Sequence, residues 1–440
     1  MNSIPSVPEP HIVIVGGGFG GLSVAKALKR APLRVSLIDR SNHHLFQPLL
    51  YQVATALLSP AHIASPIRAL LRRQRNASVL LAEVTGIDID RRCVIAQSTD
   101  CIRRIPYDSL VLATGVHQSY FGHDEFEPFA PGLKSLADAV VLRNRILQAF
   151  EIAEAEEDRA TPEGLLTFVL VGAGPTGVEM AGAIATLVRN TLSSEFRRID
   201  PRSARIVIVD RERRILPTFS EDLSRAAHER LTLIGVEIRL GRAVDAVDER
   251  GVVVGGERIP SRTVIWTAGV EPSPVGRWLG VATDRTGRVR IQKDLTVPGH
   301  PEIFVIGDLA SLDQDGKPLP GVAQVAMQQG RFVARVIQRR LASRPDPPAF
   351  RYFDKGSMAV VGRNFAILEN RRMKLSGLLA FFAWAGVHLE FLAHSSLRLT
   401  VFVQWVWTYV TKQPGSRLII NHRQESNSAA MALAQQRLKA

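Results

Sequence analysis

The chain has 440 residues, of which 46% are hydrophobic and 22% are charged, and its formal net charge is +13 at pH 7. This length exceeds what one hydrophobic core serves, so two or three domains are expected, and the composition excludes a wholly disordered chain. The arginines are dispersed, and no zinc-finger or RNA-recognition pattern accompanies them. Nucleic acid is therefore not expected as a partner, and an anionic lipid surface is favoured.

The two cysteines, Cys93 and Cys101, cannot build a disulfide framework, and their spacing fits neither a CxxC pair nor a zinc site. We therefore expect free thiols, a reducing compartment and no metal. The opening segment MNSIPSVPEP lacks a basic stretch followed by an apolar one. No signal or transit peptide is expected, and the cytoplasm is the expected compartment.

The first predicted strand, HIVIV, ends in the glycine-rich turn GGGFGG. Gly16, Gly18 and Gly21 have GxGxxG spacing, a helix is predicted to follow, and Asp39 closes the next strand. Such glycines permit a tight turn, close approach of a pyrophosphate and close packing of helix on strand. The phosphates would lie at the positive end of the helix dipole, and Asp39 would bind a ribose diol. The pattern predicts a dinucleotide site.

The same device recurs in the middle of the chain. The strand FVLV ends in GAGPTG, which contributes Gly172, Gly174 and Gly177, and the strand after the next helix closes with Asp210. An acid at this position repels a 2′-phosphate and favours NADH over NADPH. The three arginines of the following RERR lie beside it and suit a phosphate, so the preference between the two nucleotides stays open.

Each copy also has a later strand that ends in a small-residue turn, LVLATG or VIWTAG. A repeat of this length indicates two related βαβ domains. Two dinucleotide sites in one chain are expected to hold FAD in the first and NADH in the second. The nicotinamide would then stack on the flavin, and hydride would pass between them.

The strand after the second copy ends in FVIGD, where the carboxylate of Asp308 is expected to bind the ribityl chain of the flavin. The segment from Pro320 to Leu341 is predicted to form a helix opened by proline, whose N-terminus points at the flavin. Gln324 and Gln328 share one face of this helix and suit hydrogen bonding to a carbonyl oxygen at the end of an apolar channel. A solvated helix face is the alternative.

Glu179 lies two residues past the third glycine of the second motif. There its carboxylate would touch the carboxamide of the nicotinamide or place charge near the reacting ring. An acid that merely stabilises the first turns of a helix is the alternative.

The C-terminal region differs in composition from the rest. After the linker SRPDPP, two aromatic stretches follow at 375–394 and 397–410, and both are shorter than the roughly 20 residues that a transmembrane helix needs. Trp384, Trp405, Trp407 and Tyr409 favour the lipid headgroup region. Basic residues flank them, namely Arg371, Arg372, Lys374, Arg398 and Lys412. We predict a helix pair lying on a membrane; a buried helical cap and a dimer interface are alternatives. The tail from Gln424 is expected to be loose.

The combined pattern resembles the type II NADH dehydrogenases, which are single-chain NADH:quinone oxidoreductases. The resemblance covers nearly the whole chain and rests on GGGFGG, HHLFQPLLYQVAT, YDSLVLATG, GAGPTGVE, VIWTAGV, FVIGDLA and AQVAMQ, together with the C-terminal aromatic pair. AQVAMQ and the C-terminal segment are more specific than the glycine motifs. The resemblance implies two-electron transfer from NADH through FAD to a membrane quinone without proton pumping. It also implies peripheral association with the cytoplasmic face of the cell membrane and a homodimer.

By this resemblance Glu179 matches an acid near the nicotinamide, and Gln324 and Gln328 match the glutamines of a quinone site. Motif and resemblance together give the expected flavin contacts as Gly16, Gly17, Gly18, Phe19, Gly20, Gly21, Asp39, Arg40, Val84, Ala113, Thr114, Gly115, Asp308, Ala323 and Gln324. The expected NADH contacts are Gly172, Gly174, Pro175, Thr176, Gly177, Asp210, Ala268 and Gly269. A late lysine that contacts flavin in some relatives matches either Lys355 or Lys374.

We therefore predict an α/β fold with two Rossmann-like domains and a C-terminal helical segment that associates with a membrane. The predicted FAD domain is discontinuous, 1–125 and 290–345, with the NAD(H) domain 126–289 inserted, and the C-terminal domain 346–440 carries the anchoring helices at about 375–412. Two other functions remain open: an NAD(P)H-dependent reductase of a soluble ferredoxin-like partner, and a flavin-bearing NAD(H)-binding redox sensor with little turnover. Dithiol and sulfide-oxidising flavoproteins need placed cysteines, which Cys93 and Cys101 do not match.

Overall fold

The computed structural model describes residues 9–99, 101–156 and 163–420. The strands are β1 (His11–Val15), β2 (Arg34–Asp39), β3 (His43–Leu45), β4 (Ala64–Pro66), β5 (Ala77–Leu81), β6 (Glu83–Asp88), β7 (Cys93–Gln97), β8 (Ile102–Pro106), β9 (Ser109–Leu112), β10 (Val116–Gln118), β11 (Thr167–Val171), β12 (Arg205–Asp210), β13 (Val236–Leu240), β14 (Val244–Asp248), β15 (Gly251–Val254), β16 (Glu257–Pro260), β17 (Thr263–Trp266), β18 (Val270–Pro272), β19 (Val289–Arg290), β20 (Thr296–Val297), β21 (His300–Val305), β22 (Ala310–Ser311), β23 (Asp313–Gln314), β24 (Lys317–Pro318), β25 (Ser357–Val360), β26 (Ala366–Glu369) and β27 (Lys374–Gly377). The α-helices are α1 (Phe19–Ala27), α2 (Leu50–Ala54), α3 (Pro60–Ile63), α4 (Ile67–Leu71), α5 (Leu136–Ala155), α6 (Pro175–Thr186), α7 (Glu221–Leu233), α8 (Val275–Leu279), α9 (Ala323–Leu341), α10 (Leu378–Phe391) and α11 (Ser395–Thr411).

A six-stranded sheet in the order β20-β21-β9-β1-β2-β5 forms the centre of the first unit. All neighbouring strands are parallel except the edge pair β20 and β21. The strand HIVIV is buried along its whole length, as expected for a parallel strand that is covered on both faces. Because β20 and β21 come from late in the chain, this sheet is built from two separate stretches of sequence.

The second unit contains a four-stranded parallel sheet in the order β13-β12-β11-β17. Its strands lie in the sequence between the two stretches that build the first sheet. Each unit also carries a three-stranded antiparallel sheet, β6-β7-β8 in the first and β14-β15-β16 in the second. The repeat in the sequence is therefore a repeat of structure, and the predicted α/β class with two Rossmann-like sheets is confirmed.

A short two-stranded ribbon connects the two units. Strand β10 leaves the turn after β9, strand β18 leaves the turn after β17, and the two pair antiparallel. Val116 pairs with Pro272, and Gln118 pairs with Val270. The chain thus crosses between the units on two adjacent strands that start at the two small-residue turns.

Helix α9 packs closely against helix α1 because each helix has a glycine at the crossing, Gly330 in α9 and Gly20 in α1. A Cβ on Gly330 would lie 2.6 Å from the carbonyl oxygen of Gly20, so no larger residue fits there without a shift. The helix begins at Ala323, with Val322 as its N-cap residue. The prediction that it opens at Pro320 was therefore wrong by about one turn.

The C-terminal region forms the antiparallel sheet β25-β26-β27, followed by α10 and α11. Residues 374–377 belong to β27, so the first of the two predicted helices begins at Leu378 rather than near 375. Trp384 and Val401 enter the same hydrophobic core as α5 and α6. In the part of the chain that the structure describes, we find no helix with both the length and the hydrophobicity to cross a membrane. The predicted loose tail lies outside the described residues.

Candidate active site

The first glycine turn leaves backbone amides facing open space at the start of α1. Gly16 has a φ of +104°, and a Cβ there would lie 2.3 Å from the carbonyl oxygen of Ala113. A Cβ on Gly21 would lie 1.9 Å from the carbonyl oxygen of Gly16, whereas one on Gly18 would meet no atom within 4 Å. No side chain caps α1. The N-terminus of α1 therefore fits an anion such as a dinucleotide pyrophosphate.

The carboxylate of Asp39 ties the end of β2 to this turn. Its Oδ2 accepts a hydrogen bond from the N–H of Gly17 at 2.5 Å, and its Oδ1 accepts one from the N–H of Ser41 at 2.6 Å. The neighbouring Arg40 is exposed. Asp39 therefore shapes the turn, in addition to the ribose contact that the sequence predicts for it.

Two aromatic side chains enclose the same turn. The Nδ1 of His44, on β3, lies 3.0 Å from the carbonyl oxygen of Gly17, and its ring meets Phe19 edge to face at 5.1 Å. Burial lowers the pKa of His44 to about 4, so the ring is neutral at pH 7 and donates the Nδ1–H to that carbonyl. Sequence reasoning included His44 in a family segment but gave it no role.

The second glycine turn repeats the first almost atom for atom. Gly172 has a φ of +113°, a Cβ on Gly177 would lie 1.9 Å from the carbonyl oxygen of Gly172, and one on Gly174 would meet no atom within 4 Å. The Oδ2 of Asp210 accepts from the N–H of Ala173 at 2.5 Å, and its Oδ1 accepts from the N–H of Glu212 at 2.8 Å. This site also suits a dinucleotide.

The first residues of α6 complete this second turn. Pro175 is the exposed first residue of the helix, and Thr176 follows it, half-buried. Proline suits this position because its missing N–H would have no partner inside the helix.

The arginines after Asp210 are not equally free to bind a phosphate. Arg214 donates to the carbonyl oxygens of Pro217 and Phe219, so its guanidinium is occupied. Arg211 lies 6.0 Å from the ring of Phe121 and is exposed, as Arg213 is. Arg211 also lies 3.7 Å from the carboxylate of Glu212, so of the three arginines that left the nucleotide preference open, Arg213 is the least engaged among the described residues.

The two small-residue turns meet near the ribbon that joins the units. Gly115 and Gly269 both have positive φ, +67° and +73°. The amide of Gln118 donates to the carbonyl oxygens of Ala268 and Gly269 at 2.8 and 2.7 Å. The hydroxyl of Thr114 bonds to that of Ser273. The predicted contacts Ala113, Thr114, Gly115, Ala268 and Gly269 therefore lie at one junction.

A buried glutamine holds the turn that carries Asp308. The N–H of Gly307 donates to the Oε1 of Gln329 at 2.6 Å, and Gln329 is 1% exposed. Burial raises the pKa of Asp308, and the positive charges of Lys134 and Arg288 oppose that rise. Sequence reasoning missed both Gln329 and Lys134, because helical spacing does not show which amide faces another segment of chain.

The two predicted glutamines of α9 reach the segment that leads into the C-terminal domain. Gln324 donates to the carbonyl oxygen of Gly356 at 3.0 Å, and its Oε1 is buried without a hydrogen-bond donor among the described residues. Gln328 donates to the carbonyl of Phe353 at 2.9 Å and accepts from its N–H at 3.0 Å. Both ends of the Gln328 amide are therefore hydrogen-bonded, whereas only the nitrogen of the Gln324 amide is. Ala323 precedes them, half-buried.

Glu179 lies on α6, where this helix packs against α2 and β25. Its Oε1 accepts from the N–H of Val360 at 3.3 Å, and burial raises the pKa of its carboxyl to about 8. The charge of Glu179 also acts on Tyr51, which lies on α2. Burial, and then this charge, raise the pKa of the Tyr51 hydroxyl well above its usual value. The acid is thus held in an environment that favours its protonated form at pH 7.

The remaining predicted residues are less informative. Val84 is buried in β6 and packs into the core around the first sheet. The Nζ of Lys355 lies 5.9 Å from the ring of Phe391, and Lys374 lies 3.9 Å from Glu369. Within the described ranges, no group of three or more His, Cys, Asp or Glu side chains is arranged to hold a metal ion.

Comparison with known proteins bears on the three functions that the sequence leaves open: a quinone reductase, a reductase of a soluble ferredoxin-like partner and a redox sensor. Residues 10–330 match the pyridine nucleotide-disulphide oxidoreductase family. The type II NADH:quinone oxidoreductase Ndh of Mycobacterium tuberculosis is 44% identical, over 97% of this chain and 94% of the relative. NdhA of the same organism, also a type II NADH:quinone oxidoreductase, is 42% identical over 97% and 95%. The chain belongs to the type II NADH:quinone oxidoreductases.

The fold agrees with this membership. The structure of NDH2 from Plasmodium falciparum in complex with NADH superposes with a TM-score of 0.85, covering 94% of this chain and all of that one, at 18% identity. Cys93 is buried and Cys101 is exposed, and both are free thiols. The type II oxidoreductase therefore carries the two-unit fold of a disulphide oxidoreductase with no disulfide between its two cysteines.

Proposed function

We propose that the chain holds one FAD at the first glycine turn, takes a hydride from NADH at the second, and delivers two electrons to a membrane quinone without proton pumping. The support is that both glycine turns present open helix N-termini, and that the small-residue turns against which they pack are joined by the β10-β18 ribbon. FAD, when bound, supplies an acceptor for hydride and a donor to quinone. The FAD-binding domain comprises 1–125 and 290–345, the NADH-binding domain 126–289, and the C-terminal domain 346–440.

The chain's own residues hold and orient these groups. The α1 amides and Asp39 bind the diphosphate and ribose of FAD, and Asp308 binds its ribityl hydroxyls. The α6 amides and Asp210 bind NADH in the same way. Glu179 binds at the nicotinamide end, where its proton occupancy sets the local charge. Gln324 is the second residue of α9. Its Oε1 has no hydrogen-bond donor among the described residues, so this oxygen fits a donor on a bound group.

The quinone assignment rests on family membership. The buried Oε1 of Gln324 is an acceptor, so it suits the O–H of a quinol product or an N–H of the flavin rather than the carbonyl oxygen of an oxidised quinone. A buried amide oxygen without a donor is costly in a folded chain, so a ligand that supplies a donor is the physical expectation. Replacing Gln324 should slow quinone reduction more than flavin reduction by NADH. Equal losses in both steps would count against a quinone role.

The direct test is anaerobic reduction followed by reoxidation. The purified protein is expected to be yellow, to bleach on addition of NADH, and to regain its absorbance with a soluble quinone analogue. Rapid reoxidation by a ferredoxin and none by quinone would favour a soluble reductase. Bleaching without turnover by any acceptor would favour a redox sensor. A colourless protein that FAD does not reconstitute would contradict the proposal.

We further propose that α10 and α11 dock on the cytoplasmic face of the cell membrane as a peripheral contact. Large apolar side chains are exposed on both helices, with Leu379 73%, Phe382 61%, Leu399 65% and Val410 73% exposed. The exposed apolar set also includes Leu378, Phe402, Val403, Val406 and Trp407. Exposed Arg371, Arg372 and Lys374 lie on the turn and strand that precede α10, where they complement anionic headgroups.

The structure corrects two parts of the predicted anchor. Trp384 is only 2% exposed and packs against Trp405 at 5.3 Å between ring centres, so these two tryptophans face the protein. Arg398 donates to Glu390 at 2.9 Å and is not a free flanking cation. Trp407 and Tyr409 remain exposed, as predicted.

Flotation with lipid vesicles tests the docking surface. The intact chain should float with vesicles of anionic lipid, and Leu379→Glu with Phe402→Glu should abolish flotation while NADH oxidation with a soluble quinone continues. If instead these substitutions convert a dimer into a monomer and leave flotation intact, the face is a homodimer interface. That homodimer is the other arrangement expected for this surface.

A further inference from the structure

An exposed phenyl ring just after strand β10 has a backbone conformation that phenylalanine seldom adopts. Phe121 has a φ of +56°, and the next residue, Gly122, has a φ of +91°. The N–H of His123 donates to the carbonyl oxygen of Tyr120 at 3.1 Å, so Phe121 and Gly122 are the central residues of a four-residue turn. Gly, Asn and Asp are usual where both central residues have positive φ, and a bulky side chain is strained there. The side chain of Phe121 is nevertheless 61% exposed, so burial does not explain its presence.

The residues around Phe121 hold this turn in place. The N–H of Phe121 donates to the Oγ of Ser119 at 3.3 Å, and the carbonyl oxygen of Ser119 accepts the indole N–H of Trp266 at 2.9 Å. Tyr120 is buried, and its hydroxyl donates to the carbonyl oxygen of Ala130 at 3.0 Å. A strained backbone persists where its surroundings fix it in this way. The exposed ring therefore projects from a well-anchored main chain.

The ring of Phe121 contacts residues that follow two different strands of the second sheet. A Cβ on Gly269, in the turn after β17, would lie within 3.0 Å of the Cζ, Cε1 and Cε2 of Phe121, so the glycine leaves room for the ring. The guanidinium carbon of Arg211, which follows β12, lies 6.0 Å from the centre of the same ring. This distance is at the outer limit of a cation–π contact. The ring therefore lies between the end of β17 and the end of β12.

The second glycine turn lies between these two strand ends. Strand β11 pairs with β12 on one side and with β17 on the other, all parallel, so their carboxyl ends share one edge of the sheet. Ligands of open α/β sheets bind at this edge. A Cβ on Gly174, in the turn after β11, would meet no atom within 4 Å, so the ring of Phe121 does not fill the space at the glycine turn. The ring borders this open space.

We propose that Phe121 is a binding residue of the NADH site, and that its ring packs against the adenosine half of the nucleotide. The inference rests on the proposed function, which places NADH at the second glycine turn. Arg211 directly follows Asp210, the acid assigned to the adenosine ribose, so the ring lies toward that half of the nucleotide. A phenyl ring stacks on a purine base and needs no charge to do so.

The test measures steady-state NADH oxidation by Phe121→Ala and Phe121→Tyr in the FAD-loaded protein, with a soluble quinone analogue as acceptor. Loss of the ring in Phe121→Ala should raise the KM for NADH about tenfold and weaken competitive inhibition by AMP by the same factor. Inhibition by nicotinamide mononucleotide, which lacks the adenosine half, should not change. Phe121→Tyr keeps an aromatic ring, so its KM and inhibition constants should stay close to those of the wild-type protein.

The strained backbone provides a second measurement that separates binding from packing. Asparagine tolerates positive φ, so Phe121→Asn should keep or raise the Tm although it raises the KM for NADH as Phe121→Ala does. Phe129→Ala is the control, because it removes another exposed phenyl ring, 38% exposed, and it should leave the KM and both inhibition constants unchanged. A lower Tm of Phe121→Asn with an unchanged KM would make Phe121 a structural residue. Equal weakening of AMP and nicotinamide mononucleotide would also overturn the proposal.

A variant of the glycine turn distinguishes failure of this inference from failure of the proposed function. Gly174→Ala places a methyl group in the space assigned to the pyrophosphate of NADH. If Gly174→Ala raises the KM for NADH and Phe121→Ala does not, NADH binds at the second turn and only the role of Phe121 fails. If neither substitution changes the KM, NADH does not bind at this turn, and the proposed function fails with the inference.

Discussion

The two glycine turns of this chain have the same backbone and different surroundings. In both, the N–H of the first glycine donates to the strand that the acid closes, at 2.8 Å, and the acid accepts a loop amide at 2.5 Å. Around the first turn, His44 and Phe19 pack over the loop, and Gln329 fixes the nearby Asp308 turn. The second turn is bordered by exposed Arg211 and Arg213.

This difference predicts that the two sites hold their nucleotides with different strength, although the glycine motif is the same. The first loop is covered by the rings of His44 and Phe19, whereas the second borders the exposed Arg211 and Arg213. Of the residues that enclose the first loop, His44 of β3, Ile67 of α4 and Ala326 of α9 lie outside the GxGxxG pattern. The comparison predicts that equivalent substitutions in the two loops have different consequences.

The largest contrast is expected from Gly18→Ala and Gly174→Ala. At both positions a Cβ meets no protein atom within 4 Å, so the apoprotein should fold normally, but the methyl group occupies space that a pyrophosphate needs. Gly18→Ala should be purified with little or no FAD. Gly174→Ala should remain yellow, with a KM for NADH raised by at least about tenfold. The flavin-to-protein ratio and steady-state kinetics measure the two effects, and loss of FAD in both variants would contradict the assignment.

The acids that close the two strands should differ in the same way. Asp210→Ser removes the carboxylate that repels a 2′-phosphate and leaves Arg211 and Arg213 in place. The ratio of kcat/KM for NADH to that for NADPH should fall by about tenfold. Asp39→Ser is the matched control: it should lower flavin content and leave this ratio unchanged. A ratio that does not move in Asp210→Ser would place the adenosine ribose elsewhere.

Much of this arrangement is predictable from sequence, and the reason is local. Glycines at fixed spacing between a strand and a helix leave little choice of backbone, so the turns at Gly16 and Gly172 and the acids that close the next strands follow directly. The two sheets and the discontinuity of the first also follow from the order of the motifs.

The remaining features depend on contacts between distant segments. Helical spacing singled out Gln324 and Gln328, but the buried amide that holds the Asp308 turn belongs to Gln329. Their residue type predicted that Trp384 and Trp405 face lipid. In the structure, the two rings pack against each other and against the hydrophobic core of the protein. Which side of a helix is buried depends on its neighbours, and composition does not reveal them.

A moderate effect on the pH dependence of stability is expected at a position where the helices after the two glycine turns, α1 and α6, differ. Two residues past the third glycine, α1 has Ser23 and α6 has Glu179. Burial raises the pKa of Glu179 from the usual 4.5 to about 8, so the folded protein holds this proton up to about pH 8 and the unfolded chain releases it near pH 4.5. The stability from this group is therefore present below pH 4.5 and is lost as the pH rises toward 8.

Glu179→Gln should therefore raise the Tm of the protein at pH 8 by several degrees, about 2–4 °C or more, and hardly change it at pH 4.5. Ser23→Ala is the control in the first unit, because the one partner of its hydroxyl among the described residues is the carbonyl oxygen of Phe19 in the preceding turn of the helix. Calorimetry at the two pH values measures the difference. An equal rise in Tm at both pH values would mean that the carboxyl is ionised throughout.

The smallest contrast concerns side chains that bond to the loop carbonyls. Thr267→Val removes the hydroxyl whose single proton is shared between the carbonyl oxygens of Val171 and Gly172, at 2.9 and 3.0 Å. The KM for NADH should rise by about threefold, with flavin content unchanged. His44→Phe removes the corresponding bond to Gly17 and should weaken FAD binding by a similar factor while leaving the KM for NADH alone. The opposite pattern would reverse the assignment of the two sites.

The ribbon of β10 and β18 also limits how the enzyme moves. Two hydrogen-bonded strands that cross together between two rigid bodies allow rotation along their common axis and resist separation across it. The spacing between the two nucleotide turns is then set when the chain folds, not when the substrate arrives.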